Sequence, residues 1–260
     1  MRVLVVEAPG GLSGAIAAEL ATSHEVRLFG ASPDLPTGLE GADERLQRGV
    51  SRTVGSLLEA ADAWQAVRHI DAVVHPGQMP ALAPGGDAQV LEWYTRGTHV
   101  LLKAAVEAGV RRVVLGSTLD LFGAYPEDVY ITEQWRPRPG TGVAQLAPYL
   151  AEQVCREFAR DYRLTATVLR LGRLVLEEEV AGAPPDLMWL DRRDAARAFA
   201  VALQRDHADA VHWTTRWQFL HVCADIPNPR YLIDAMRRTG WVPQHNFAAA
   251  WGGPAEAAGR

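Results

Sequence analysis

Lysine is nearly absent from this chain: Lys103 is the only one, and the remaining cationic side chains are arginines. They are scattered along the sequence, and the formal net charge is −5. That balance argues against a nucleic-acid partner, whose phosphates need clustered cations. Cysteine is also scarce. Cys155 and Cys223 lie in apolar runs without CxxC or His-rich spacing, so neither a disulfide framework nor a metal site is expected. Both read as buried thiols in a reducing, cytoplasmic setting. The long uncharged stretches carry Pro or Gly, so no membrane span or leader is expected. HExxH and a Ser/His/Asp elbow are missing as well, which removes two common hydrolytic chemistries.

What remains is an ordinary globular composition, 48% hydrophobic and 22% charged over 260 residues. Tryptophan is generous, with Trp189, Trp213, Trp217 and Trp241 in the C-terminal third, lining a pocket or filling a core. Apolar β-rich runs alternate with segments of helical period, the signature of a parallel sheet with crossover helices. Strands are predicted at Arg2–Val6, Glu25–Phe29, Arg52–Val54, Ala72–His75, Arg112–Gly116 and Thr165–Leu171. Helices are predicted at Ser13–Ser23, Ser56–Arg68, Gln89–Ala108 and Ala147–Tyr162. A linker holds Pro33, Pro36 and Gly38, and Pro76–Asp87 reads as loop. Beyond the last strand, a helix at Arg192–Gln204, a strand at Gln218–Cys223 and a helix at Arg230–Thr239 are expected to build a smaller lobe. The division predicted is 1–172 for the main domain, 173–251 for the lobe and 252–260 for a disordered tail.

Several strings carry a resemblance. They are Thr98–Val114 (THVLLKAAVEAGVRRVV), Ser117–Gly123 (STLDLFG), Val168–Gly172 (VLRLG), Asp191–Ala198 (DRRDAARA) and Thr239–Pro243 (TGWVP). In this order they resemble the extended short-chain dehydrogenase/reductases, the NAD-dependent epimerase/dehydratase family. The resemblance implies an α/β fold: a Rossmann-like doubly wound parallel sheet with a small C-terminal substrate lobe. The stretch between Leu171 and Asp191 is short for that family and closer to compact members such as uronate dehydrogenases. That length implies an open cleft or a small ligand.

Against the family's TGxxGxxG phosphate loop the chain reads Val6-Glu7-Ala8-Pro9-Gly10-Gly11-Leu12-Ser13, so only Gly10 stands in register. Glu7 is expected to crowd the turn and face an anionic pyrophosphate, a repulsion of about 3 kcal/mol at an effective dielectric near 20. A shifted loop using Gly10, Gly11 and Gly14 is the alternative, with the helix N-terminus still attracting anions. The second strand ends without the acid that holds a ribose, and Arg27 is the candidate for a 2′-phosphate. Ser56 stands where the family has an adenine-contacting Asp. The implied cofactor is therefore none, or weakly bound NAD(P).

The family's catalytic Tyr and Lys positions fall on Ala144 and Pro148. Pro148 suits the first turn of a helix. The candidate catalytic residues left are Thr118, Asp120, His75 and Tyr94, with His75 and Asp120 as a conceivable acid–base pair. Gln78, Gln145, Tyr149 and Arg173 are candidates for the substrate pocket. The expectation is a repurposed non-redox enzyme (lyase, cyclase or isomerase) or a pseudoenzyme that binds a small metabolite. The alternatives are an NAD(P)-dependent oxidoreductase or epimerase with a rearranged site, and a dinucleotide-sensing regulator. The resemblance also implies a homodimer through helices 89–108 and 147–162.

Overall fold

A computed structural model describes residues 1–8, 10–34, 49–78 and 86–251. The expected linker around Pro36 and Gly38, residues 79–85 of the expected loop and the tail from residue 252 lie outside them. Strands β1 (Arg2–Val6), β2 (Glu25–Gly30), β3 (Val50–Val54), β4 (Ala72–His75), β5 (Arg112–Thr118), β6 (Thr165–Leu171) and a C-terminal strand, Trp217–Val222, form one sheet. Its order is β3-β2-β1-β4-β5-β6 followed by that last strand, and every pairing is parallel.

Each face of the sheet is covered, which is why the inner strands read as unbroken apolar runs. In β1, Val3 and Val5 join a core with helix α1 (Leu12–Ala21), whereas Leu4 and Val6 join the opposite one. That second core is built by α2 (Ala60–Val67), α3 (Gly86–Glu92), α4 (Thr98–Glu107) and α5 (Val143–Asp161). The helix predicted as continuous over Gln89–Ala108 is divided by a π-helical turn at Trp93–Gly97. The wider turn lets the adjacent side chains Trp93 and Tyr94 both be buried.

Helix α5 starts at Val143, ahead of the predicted Ala147, because Gly142 takes the N-cap position. Pro148 therefore lies inside the helix and not in its first turn, where it removes the bond to the Ala144 carbonyl. Strands β7 (Arg173–Val175) and β8 (Trp189–Asp191) pair with each other, and α6 (Arg192–Ala202) follows. The side chain of Asp191 caps α6 by accepting from the Arg193 N–H at 2.9 Å.

The smaller lobe is reduced from the expectation. After a short helix α7 (Trp213–Arg216), the strand Trp217–Val222, now β9, joins the main sheet beside β6, and α6 packs on α1. Residues 230–232 are not helical, because their backbone pairs with Ile131: Ile131 N–H donates to Arg230, and Leu232 N–H donates to Ile131. Only α8 (Asp234–Arg237) remains of that helix, followed by α9 (Ala248–Trp251). A separate minor core gathers Trp189, Ala224, Ile226 and Phe247.

Candidate functional site

The strand order reverses between β1 and β4, and a doubly wound sheet opens its crevice outside the carboxyl ends of the strands at that point. Gly10 and Gly11 carry the chain from β1 into α1 with φ of 66° and 78°. A Cβ on Gly10 would meet nothing within 4 Å, so the left-handed dihedral, not space, requires glycine there. Gly11 is the N-cap and supplies no side-chain acceptor, which leaves the first N–H groups of α1 open to an anion. Gly14 is buried within the first turn and serves packing. Ser13, in place of a glycine, is buried and donates its hydroxyl to Ala8 O at 3.1 Å.

Glu7 does not turn toward this loop. Its N–H bonds Phe29 O at 2.8 Å, extending β1 alongside β2, and its carboxylate pairs with Arg52. The expected clash with a pyrophosphate is thus relieved by side-chain direction. The carboxylate lies over Gly30, where a Cβ would overlap it. Val6, Glu7, Phe29, Gly30, Ser56, Leu57 and Trp93 line a cavity of about 120 Å³ beyond the ends of β1, β2 and β3. Ser56 borders this cavity, with its N–H donating to Asp62 Oδ2 at 2.9 Å.

Arg27 is corrected. Its guanidinium donates to the carbonyls of Ala66 at 2.9 Å and Arg68 at 2.8 Å, closing the C-terminal end of α2, so it is not available to a 2′-phosphate.

On the other side of the Gly-rich loop a polar cleft of about 350 Å³ brings together Gly10, Gln78, Thr118, Asp120, Arg173 and Arg192. Thr118 ends β5 and caps a short 3-10 turn, Leu119–Phe122. Its Oγ1 accepts from the Asp120 N–H and donates to Asp120 Oδ2, each at 3.1 Å. Arg173 is ion-paired to Asp186, and Arg192, which sequence reasoning missed, has Glu179 at 3.9 Å. Arg192 opens α6 directly after the capping Asp191, a position that could have flagged it.

His75 does not join Asp120. Burial pushes its pKa down to about 4, Nδ1 accepts from the Gly77 N–H at 3.1 Å, and the ring packs edge-on against Trp93. Strand β4 ends with this side chain turned into the core shared with α4 and α5, so a protonatable His–Asp pair does not form. Tyr94 is buried, and its hydroxyl donates to Gly77 O at 2.5 Å, which makes it a brace for the loop after β4. Gln145 Oε1 accepts from Gly140 N–H at 2.7 Å and closes the loop before α5, outside the cleft. Tyr149 packs against the core on the α1 side of the sheet. Cys155 and Cys223 are free and buried, and burial pushes both thiols up to about 12. Among the described residues no group of His, Cys, Asp and Glu could hold a metal ion, and no helix is long and apolar enough to cross a membrane.

A glycine turn with positive φ at a helix N-terminus, a cavity over the ends of β1–β3 and a cleft beside β4–β6 define a doubly wound nucleotide-binding protein. The sequence profile described as NAD(P)H-binding matches residues 8–216, and the chain belongs to that family. No curated protein matches by sequence. Among solved structures, a short-chain dehydrogenase/reductase superfamily protein from Agrobacterium tumefaciens with bound NAD is 20% identical over 96% of this chain and 95% of its own, with a TM-score of 0.73. Uronate dehydrogenase from the same organism is 21% identical over 95% of this chain and 86% of its own (TM-score 0.74). UDP-glucose 4-epimerase from Thermotoga maritima is 16% identical over 96% and 97% (TM-score 0.71). The resemblance to the epimerase/dehydratase branch of the short-chain dehydrogenase/reductases therefore holds at the level of fold.

The residues fit a dinucleotide unevenly. The cavity over β1–β3 and the open N-terminus of α1 suit an adenosine and a diphosphate. The positions that the resemblance assigns to a phenol and an ammonium carry Ala144 and Pro148, which supply neither group.

Proposed function

We propose that the chain binds NAD(P)(H) across this crevice and is an NAD(P)-dependent oxidoreductase with a rearranged active site. The observation that carries the reading is the positive-φ Gly10–Gly11 turn at the open N-terminus of α1, with a largely apolar cavity over the ends of β1–β3, within a chain that belongs to an NAD(P)H-binding family. When bound, the dinucleotide supplies the hydride acceptor or donor. The chain itself must hold the substrate oxygen and move its proton.

Thr118 and Asp120 suit that task without a tyrosinate. A substrate hydroxyl donating to Thr118 Oγ1 lets the Thr118 proton pass to Asp120 Oδ2, already its acceptor at 3.1 Å. The reverse transfer protonates a carbonyl oxygen. Arg173 and Arg192 line the same cleft, so a small hydroxylated anion is the substrate class that suits it. The uronate dehydrogenase neighbour is consistent with that chemistry.

Calorimetric titration with NAD(H) and NADP(H), followed by turnover assays on hydroxy acids and sugar acids, tests the reading. Micromolar binding with turnover that falls about a hundredfold in Thr118→Ala supports it. Absence of binding by any of the four nucleotides overturns it. The Ala144 and Pro148 substitutions favour a second reading, a pseudoenzyme or repurposed non-redox protein, and tight binding without turnover on any substrate supports that one.

A further inference from the structure

We propose that Glu7 is the ribose-binding carboxylate of this chain and makes the cavity select NAD(H) over NADP(H); this rests on the dinucleotide reading above. Nucleotide-binding α/β proteins ordinarily place that acid at the end of the second strand. Here β2 ends in Gly30, and the carboxylate arrives from the neighbouring strand instead. Glu7 stands one residue past β1, its N–H bonded to Phe29 O at 2.8 Å, and its side chain crosses the bare backbone of Gly30. A Cβ on Gly30 would overlap the Glu7 carboxylate, so the acid at position 7 and the glycine at position 30 form one steric unit.

Arg52 holds the carboxylate from behind. Its Nη2 bonds Glu7 Oε1, its Nε donates to Ser32 O at 2.6 Å, and it does not line the cavity, whereas Glu7 does. The two side chains are 12% and 13% exposed, so the carboxylate is fixed in a largely desolvated wall. A ribose with free 2′- and 3′-hydroxyls presents donors to a carboxylate that can only accept. A 2′-phosphate presents a second anion to the same wall, and the usual rescuer is missing because Arg27 is committed to the end of α2. The competing possibility resides in Arg52 Nη1, which is buried without a hydrogen-bond partner: a 2′-phosphate that drew Arg52 from Glu7 would reverse the preference.

Calorimetric titration of the full chain with NAD and NADP, in the wild type and in Glu7→Gln, decides between these. Wild type is expected to bind NAD at least tenfold more tightly than NADP. Glu7→Gln, of nearly equal size, is expected to weaken NAD about tenfold and to abolish the preference. Gly30→Ala is expected to do the same by displacing the carboxylate, and guards against a Glu7 variant that fails to fold. Equal or tighter NADP binding by wild type, or an unchanged ratio in a folded Glu7→Gln or Gly30→Ala protein, overturns the assignment while leaving the dinucleotide reading intact. Failure of wild type to bind either nucleotide overturns both.

Discussion

Arg170 and Glu152 meet inside the fold as a bidentate pair at 2.9 and 2.8 Å, with side chains 1% and 0% exposed. Phe219 covers one face of the guanidinium at 3.9 Å. Removing one partner strands a buried charge, so Glu152→Ala is expected to lower the unfolding free energy by about 3–5 kcal/mol in urea titrations. Glu152→Met with Arg170→Met is expected to recover most of that loss. Two buried histidines give a pH dependence. Burial holds His75 at about 4, and burial together with Arg170 holds His221 at about 3. Below about pH 6.5 the unfolded chain takes up protons that the folded chain refuses, so stability falls with pH until those folded-state values are passed. The slope approaches about 1.4 kcal/mol per pH unit for each histidine. Urea midpoints between pH 7 and pH 5, above the carboxylate range, are expected to fall in wild type and to fall about half as steeply in His221→Phe. An unchanged slope would reject this account. At this scale the site was only partly legible. Thr118, Asp120, Gln78 and Arg173 converge on one cleft, but where Tyr94, Arg27 and Glu7 point depends on neighbours that are distant in sequence.

Helix α5 carries a proline inside its regular hydrogen-bonded structure. Pro148 sits in its second turn, buried, and leaves the Ala144 carbonyl without its helical donor. Pro148→Ala restores that bond and is expected to raise stability by about 1–2 kcal/mol, less than the full helical proline cost because the unfolded chain regains entropy. A loss of stability in thermal unfolding would mean that the ring's packing outweighs the missing bond. The same helix shows where element boundaries were readable. Strands β4 and β6, buried on both faces, stand at the predicted residues, since burial from both sides leaves one pattern. The start of α5, the π-helical turn before α4 and the non-helical backbone at 230–232 are set by Gly142, by the burial of Trp93 and Tyr94, and by Ile131. None of these is a local periodicity.

For the whole molecule, the two halves of the crevice differ in what they offer a ligand, and that asymmetry can be read thermodynamically. The half proposed for the adenosine has a cavity with a fixed carboxylate, and the open N-terminus of α1 is proposed for the diphosphate. The other half, proposed for the nicotinamide, is an open polar cleft lined by Thr118, Asp120, Arg173 and Arg192. Ligand that binds only the folded state at a hundred times its Kd adds about 2.7 kcal/mol of stability. For a domain of this size that corresponds to a Tm increase of about 5 °C or more. ADP-ribose, which keeps the adenosine, diphosphate and second ribose but lacks nicotinamide, is expected to give most of the shift produced by NAD at equal concentration. Nicotinamide mononucleotide is expected to give little. The reverse order, a strong shift with the mononucleotide and none with ADP-ribose, would place the anchoring contacts in the cleft of Thr118 and Asp120 and remove the adenosine cavity from the account of binding.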